Sequence, residues 1–110
     1  MDNYFWTEHA KFKMRQYGLS EQKVRSVLRK PFRVEEGIVA RTIAVMIPAG
    51  KFVIPKEGEK PAWKQELWVM YQLRKIKKQK KIISAWRYPG VSPKNNPIPE
   101  DILRELAEKG

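Results

Sequence analysis

Two apolar runs separated by a few polar residues constrain this chain more than any other feature. In residues 67–76, Leu67, Val69, Tyr71 and Leu73 alternate with Trp68 and Met70, so both faces of an extended segment are apolar. A strand of that kind is central in its sheet and needs helices over at least one face. Residues 81–87 repeat the pattern through Ile82, Ile83, Ala85 and Trp86. The polar stretch Lys77-Lys78-Gln79-Lys80 between them reads as the loop of a hairpin. An earlier run, 38–47, is rich in β-branched residues and supplies a further strand.

Helices come before these strands. Thr7 is placed as an N-cap for a helix to Tyr17, and Glu8 suits the first turn. Trp6, Ala10, Met14 and Tyr17 fall on one stripe at helical spacing, and Gly18 ends the helix. Ser20 then caps a second helix, with Leu19 and Val24 placed as a hydrophobic staple and Val24, Val27 and Leu28 facing inward. Pro31 stops it. Residues 32–35 read as a short strand. A long connection, 48–64, is punctuated by prolines and glycines, with a small edge segment at 52–54. The expected fold is α+β: an N-terminal α-hairpin on an antiparallel sheet of three or four strands. Residues 1–90 would form one domain. Residues 91–110 would form a proline-rich linker and a C-terminal helix, docked or mobile, with Ile102, Leu103 and Leu106 as its apolar side.

Charge narrows the partners. Twenty-three Lys and Arg against twelve Asp and Glu give a net charge of +11 in 110 residues, which attracts polyanions and speeds encounter with them. The excess is concentrated: between Lys60 and Lys94 there are ten basic residues, and Glu66 is the only acid. The chain has no cysteine, which excludes disulfides and thiolate metal sites and suits a reducing compartment. No apolar run reaches the roughly 18 residues of a membrane span, and Met1 to Trp6 carry no secretory signal pattern. Cytoplasmic placement is expected.

Three constellations carry candidate chemistry. His9, the only histidine, stands one helical turn before Lys13. A histidine exchanges protons near neutral pH, and a lysine beside it can stabilise phosphorane-like charge. The pair suits metal-free cleavage of RNA by the neighbouring 2′-hydroxyl. The competing reading is a boundary histidine with a structural hydrogen bond. No second histidine or cysteine exists to build a metal site, and no cofactor is expected. The second constellation is the hairpin itself: Arg74, Lys75, Lys77, Lys78, Lys80 and Lys81. Six cations in eight residues exceed what protecting a strand edge requires, and they suit phosphate contacts. The third ends the last strand. Arg87 can present a rigid fork to phosphate, and Trp86 and Tyr88 offer faces for unpaired bases, against the alternative of core packing. Strand alternation puts Trp86 and Tyr88 on one side and Arg87 on the other.

The motif His9-Ala10-x-x-Lys13-Met14-x-x-Tyr17-Gly18-Leu19-Ser20, followed by Val24, Val27, Leu28 and Pro31, resembles a family of small bacterial domains with the pattern His-Ala-x-x-Arg-Met-x-x-Arg-Gly-Ile-Ser. The strand ending at Arg87 resembles that family's closing strand. The family is similar in architecture to the RelE and BrnT toxins of toxin–antitoxin pairs, many of which cleave mRNA. Two positions depart: Lys13 keeps a charge but loses the bidentate fork, and Tyr17 removes a charge. The resemblance implies a toxin-like RNA-binding protein, a metal-independent endoribonuclease acting through His9, Lys13 and Arg87. Arg74, Lys75, Lys77, Lys78, Lys80, Lys81 and Tyr88 would hold RNA or ribosome-bound mRNA. An acidic antitoxin would be the partner. A non-catalytic nucleic-acid-binding or ribosome-associated module is the alternative, and a protein–protein interaction module is a third reading.

Overall fold

The computed structural model describes residues 3–37, 41–75, 78–93 and 98–108. The elements in chain order are β1 (Tyr4–Trp6), α1 (Glu8–Tyr17), α2 (Glu21–Arg29), β2 (Arg33–Glu36), β3 (Thr42–Pro48), β4 (Gln65–Arg74), β5 (Gln79–Pro89) and α3 (Glu100–Glu108). The fold is α+β, with a five-stranded sheet in the order β1-β5-β4-β3-β2.

That sheet corrects the expectation of three or four antiparallel strands. β1 pairs parallel with β5, Tyr4 against Lys80 and Trp6 against Ile82, so the sheet is mixed. Trp6 therefore ends a strand rather than opening the α1 stripe. Three aromatic residues are too short a run to announce a strand alone; their partner lies more than seventy residues on. The edge segment expected at 52–54 is not a strand, and Val53 and Ile54 are exposed.

Capping fixes where α1 sits. Thr7 Oγ1 accepts from Ala10 N at 3.1 Å and donates to Ile82 O at 2.6 Å, so one hydroxyl starts the helix and ties it to β5. Gly18, at φ +66°, closes the helix, with Leu19 N bonded to Met14 O. Ser20 Oγ caps α2 through Lys23 N.

Each face of the sheet carries its own core. On one face, Ala10 and Met14 of α1 and Val24, Val27 and Leu28 of α2 pack on Val45, Leu67, Val69, Ile82 and Ala85. On the other, Ile98 and Ile102 pack with Trp63, Trp68, Trp86, Met46 and Met70. Trp68 and Trp86 lie parallel there, centroids 6.0 Å apart and both fully buried, each contributing on the order of 2 kcal/mol through burial. A bulge between Met70 and Tyr71 shifts the register, pairing Met70 with Ser84 but Tyr71 with Ile82. Ile82 thus faces the α1–α2 core, while Ser84 takes the side of Trp86. No helix among the described residues is long and apolar enough to cross a membrane.

Candidate nucleic-acid interface

His9 and Lys13 project from α1 toward α3. Lys13 is 1% exposed, and its Nζ donates to Glu105 Oε1 at 2.6 Å and Gln16 Oε1 at 3.0 Å, with Asp101 Oδ2 at 3.5 Å. Tyr17 donates its hydroxyl proton to the same Asp101 at 3.4 Å. His9 Nε2 lies 3.2 Å from Ser84 Oγ, the residue the bulge turned to this side, and Nδ1 lies 3.6 Å from Glu105 Oε2. Burial works against the Lys13 ammonium, but the Glu105 hydrogen bond and the charges of Glu105 and Asp101 outweigh it and hold its pKa above the ordinary lysine value. Burial, then the Asp101 charge, raises the Tyr17 hydroxyl. Lys13 is therefore a permanent cation at neutral pH and no general base. In this arrangement its charge is met by carboxylates, which would also repel an approaching phosphate.

Arg87 is engaged elsewhere. Its Nε donates to Tyr17 O at 2.6 Å and one terminal nitrogen to Gly18 O at 3.2 Å, closing the carbonyls that the end of α1 leaves open. The other terminal nitrogen donates to Gln65 Oε1 at 2.9 Å. All three nitrogens of its fork are thus bonded within the protein, two to backbone carbonyls and one to a side chain. His9 and Lys13 meet α3, whereas Arg87 lines a groove with residues of α2 and β3. Three of its five N–H donors are engaged in these bonds. Trp86 is fully buried, and Tyr88 is half-buried against the same tryptophan core.

The hairpin end of the sheet has a different character. Lys75 and Lys78 are exposed, and Lys80 and Lys81 are half-buried; Lys77 lies outside the described residues. Arg74 sits 4.5 Å over the Phe5 ring and donates to Gln79 Oε1 at 3.0 Å. Lys80 sits 5.0 Å over Tyr71. Arg25 of α2 lies 5.2 Å over Tyr4 and 5.5 Å over Trp6. The pairing register puts Lys80 with Tyr4 and Arg74 with Gln79, so cations stand on both faces of this end. Each rests on an aromatic ring, an arrangement that holds the charge in place without neutralising it. The only acid between Lys60 and Lys94, Glu66, is fully buried near the opposite end of β4.

Reading the sequence did not single out Tyr4, Phe5 and Arg25 as part of this surface. The available signal was the β-favouring run Tyr4-Phe5-Trp6, and the exposed basic face of α2, where Lys23, Arg29 and Lys30 accompany Arg25. Among the described residues, no group of three or more His, Asp or Glu side chains could hold a metal ion. Comparisons with protein-family models, with curated proteins and with solved structures gave no match.

Proposed function

We propose that this chain is an RNA-binding module, toxin-like in the sense of the RelE and BrnT resemblance. It would grip the phosphate backbone with the hairpin end of its sheet and the basic face of α2, and work in the cytoplasm. The carrying observation is the set of cations seated on aromatic rings, Arg74 on Phe5, Lys80 on Tyr71 and Arg25 on Tyr4 and Trp6, beside a hairpin, 74–81, whose sequence contains six cations and no acid. Cations so placed contact phosphates without reading sequence.

Binding is expected to fall steeply with salt. Contact with about four phosphates of a single strand gives a slope near −3 in log affinity against log salt, or about a fifty-fold loss between roughly 50 and 200 mM. A Lys75→Glu, Lys78→Glu variant should flatten that slope by about one to two while melting at the wild-type temperature, because both side chains are exposed. Fluorescence anisotropy with a labelled single-stranded RNA measures both quantities. A slope near zero, or one untouched by the double reversal, would remove the reading.

Endonuclease activity is the second reading. It is favoured by the placement of His9 within reach of the Ser84 hydroxyl on β5, a partner that stays when α3 departs. It requires α3 to leave, because α3 supplies the carboxylates that occupy Lys13. A partner able to take the place of α3, such as an acidic antitoxin, fits the same chemistry.

A further inference from the structure

At the opposite end of the sheet from the hairpin tip, α2 and the end of β3 enclose a groove of about 580 Å³, within the size range of small-ligand sites. Lys23 and Ser26 of α2 and Lys30, its C-cap, line one side. The charged residues of the lining are Lys23, Lys30 and Arg87, all cationic. Phe32 and Phe52 line another part, each a little under two-fifths exposed, at 39% and 38%. These rings do not turn freely. They meet edge to face at 5.5 Å, and both rest edge to face on Trp63, at 5.1 and 6.1 Å. Phe32 is also tied to β3 through its backbone N–H and Met46 O at 2.7 Å.

We propose that this groove takes one unpaired nucleotide of a single-stranded RNA, its base against Phe32 and Phe52 and its phosphate on Lys23 and Lys30. The inference rests on the RNA-binding reading and adds a base-contacting subsite to it. Fixed aromatic walls with cations around them suit a flat apolar base carrying an anionic phosphate, and no carboxylate in the lining opposes that anion. Arg87 lends two further N–H donors, since its other three hold Tyr17, Gly18 and Gln65. α2 joins the two regions, because Arg25 reaches the β1 aromatics while Lys23 and Lys30 reach the groove.

The test compares two labelled ligands, a short oligouridine and an abasic ribose-phosphate chain of equal length. Wild type should bind the oligouridine about tenfold more tightly, the order expected of one stacked base. Phe52→Ala should bring that ratio near one. Phe52→Leu keeps an apolar side chain against Trp63 but removes the aromatic face, so it should do the same in a protein that melts normally. Lys23→Glu with Lys30→Glu should weaken both ligands by about tenfold or more.

A wild-type ratio near one, with the hairpin reversal still weakening both ligands, would overturn the base site and leave the RNA-binding reading standing; the groove would then suit an apolar peptide instead. A ratio that survives both Phe52 variants would place the stacking elsewhere and overturn the site as well. A wild type that binds neither ligand overturns both proposals.

Discussion

Replacing Glu66 by leucine is expected to cost about 3–5 kcal/mol of folding stability, a large fraction of what a domain of this size possesses. Glu66 is fully buried, and three N–H groups converge on its carboxylate. Trp63 Nε1 donates to Oε2 at 2.8 Å, Trp68 Nε1 to Oε1 at 2.9 Å and the Ser92 backbone N–H to Oε2 at 3.2 Å. Leucine fills a similar volume but leaves three buried donors without an acceptor, each costing about 1–3 kcal/mol. Glutamine keeps one acceptor oxygen and turns an NH2 toward an indole donor, so Glu66→Gln should lose less, about 1–2 kcal/mol. Urea denaturation followed by tryptophan fluorescence measures both, with Trp63 and Trp68 reporting directly. A Glu66→Leu loss below about 1 kcal/mol would mean that water replaces the carboxylate and that the cluster is not the anchor described.

The effect should reach past the core. Arg33 donates to Ser92 O and Oγ and to Pro93 O, and lies 5.2 Å over Trp68. Glu66 and Arg33 together pin residues 92–93, the start of the connection to α3. Glu66 is an acid in the most basic part of the chain, and its role is to hold backbone and two indoles.

The sequence carried much of this local structure openly. Thr7, Gly18, Ser20 and Pro31 mark the bounds of α1 and α2 because capping is a local interaction, written within four residues. The apolar runs in 67–76 and 81–87 mark β4 and β5 because a strand covered on both faces is apolar at successive positions. What stayed hidden depends on partners far along the chain. β1 is a strand because β5 offers it an edge. The bulge that turns Ser84 toward His9 is a property of the β4–β5 pair and appears in neither strand alone. Lys13 reads as a cation one turn from His9, available to a phosphate, and only α3, 88 positions later, supplies the carboxylates that occupy it. Arg87 was legible as a rigid fork, but the carbonyls of Tyr17 and Gly18 that fill it belong to another element. The same distinction applies to function: the basic excess is plain in the composition, whereas the aromatic seats under Arg25, Arg74 and Lys80 require the fold.

Reversing Asp101 and Glu105 to lysine together should detach α3 from α1. The two substitutions remove both carboxylates that Lys13 Nζ meets and put two ammonium groups in their place. A buried charge stripped of its partners costs about 3–5 kcal/mol, and the cheaper outcome is for the helix to leave and let water reach Lys13. The raised pKa of Lys13 sets the wild-type pH dependence. A cation whose folded pKa lies above its unfolded value stabilises fully below the unfolded value and loses that contribution as pH rises through the folded one. Tyr17, whose hydroxyl donates to Asp101 and is likewise held above its ordinary value, adds to the loss at high pH. Wild-type α3 protection should therefore stay level up to about pH 10, the ordinary tyrosine value, and decline above it. The neutral pair Asp101→Asn, Glu105→Gln keeps the side-chain shapes and should loosen α3 only partly. Hydrogen exchange of the α3 amides separates the three proteins, with the double reversal exchanging fastest at neutral pH. The reversal also raises net charge by four from +11, so RNA affinity should increase. Cleavage of single-stranded RNA in EDTA by the reversal variant, lost again on adding His9→Ala, would establish the endonuclease reading with α3 as its cover. Binding without cleavage would make His9 a structural partner of Ser84 and Glu105 and leave the chain a binding module. If the α3 amides exchange at the wild-type rate, Ile98 and Ile102 hold the helix by packing alone, and the ion cluster is not its latch.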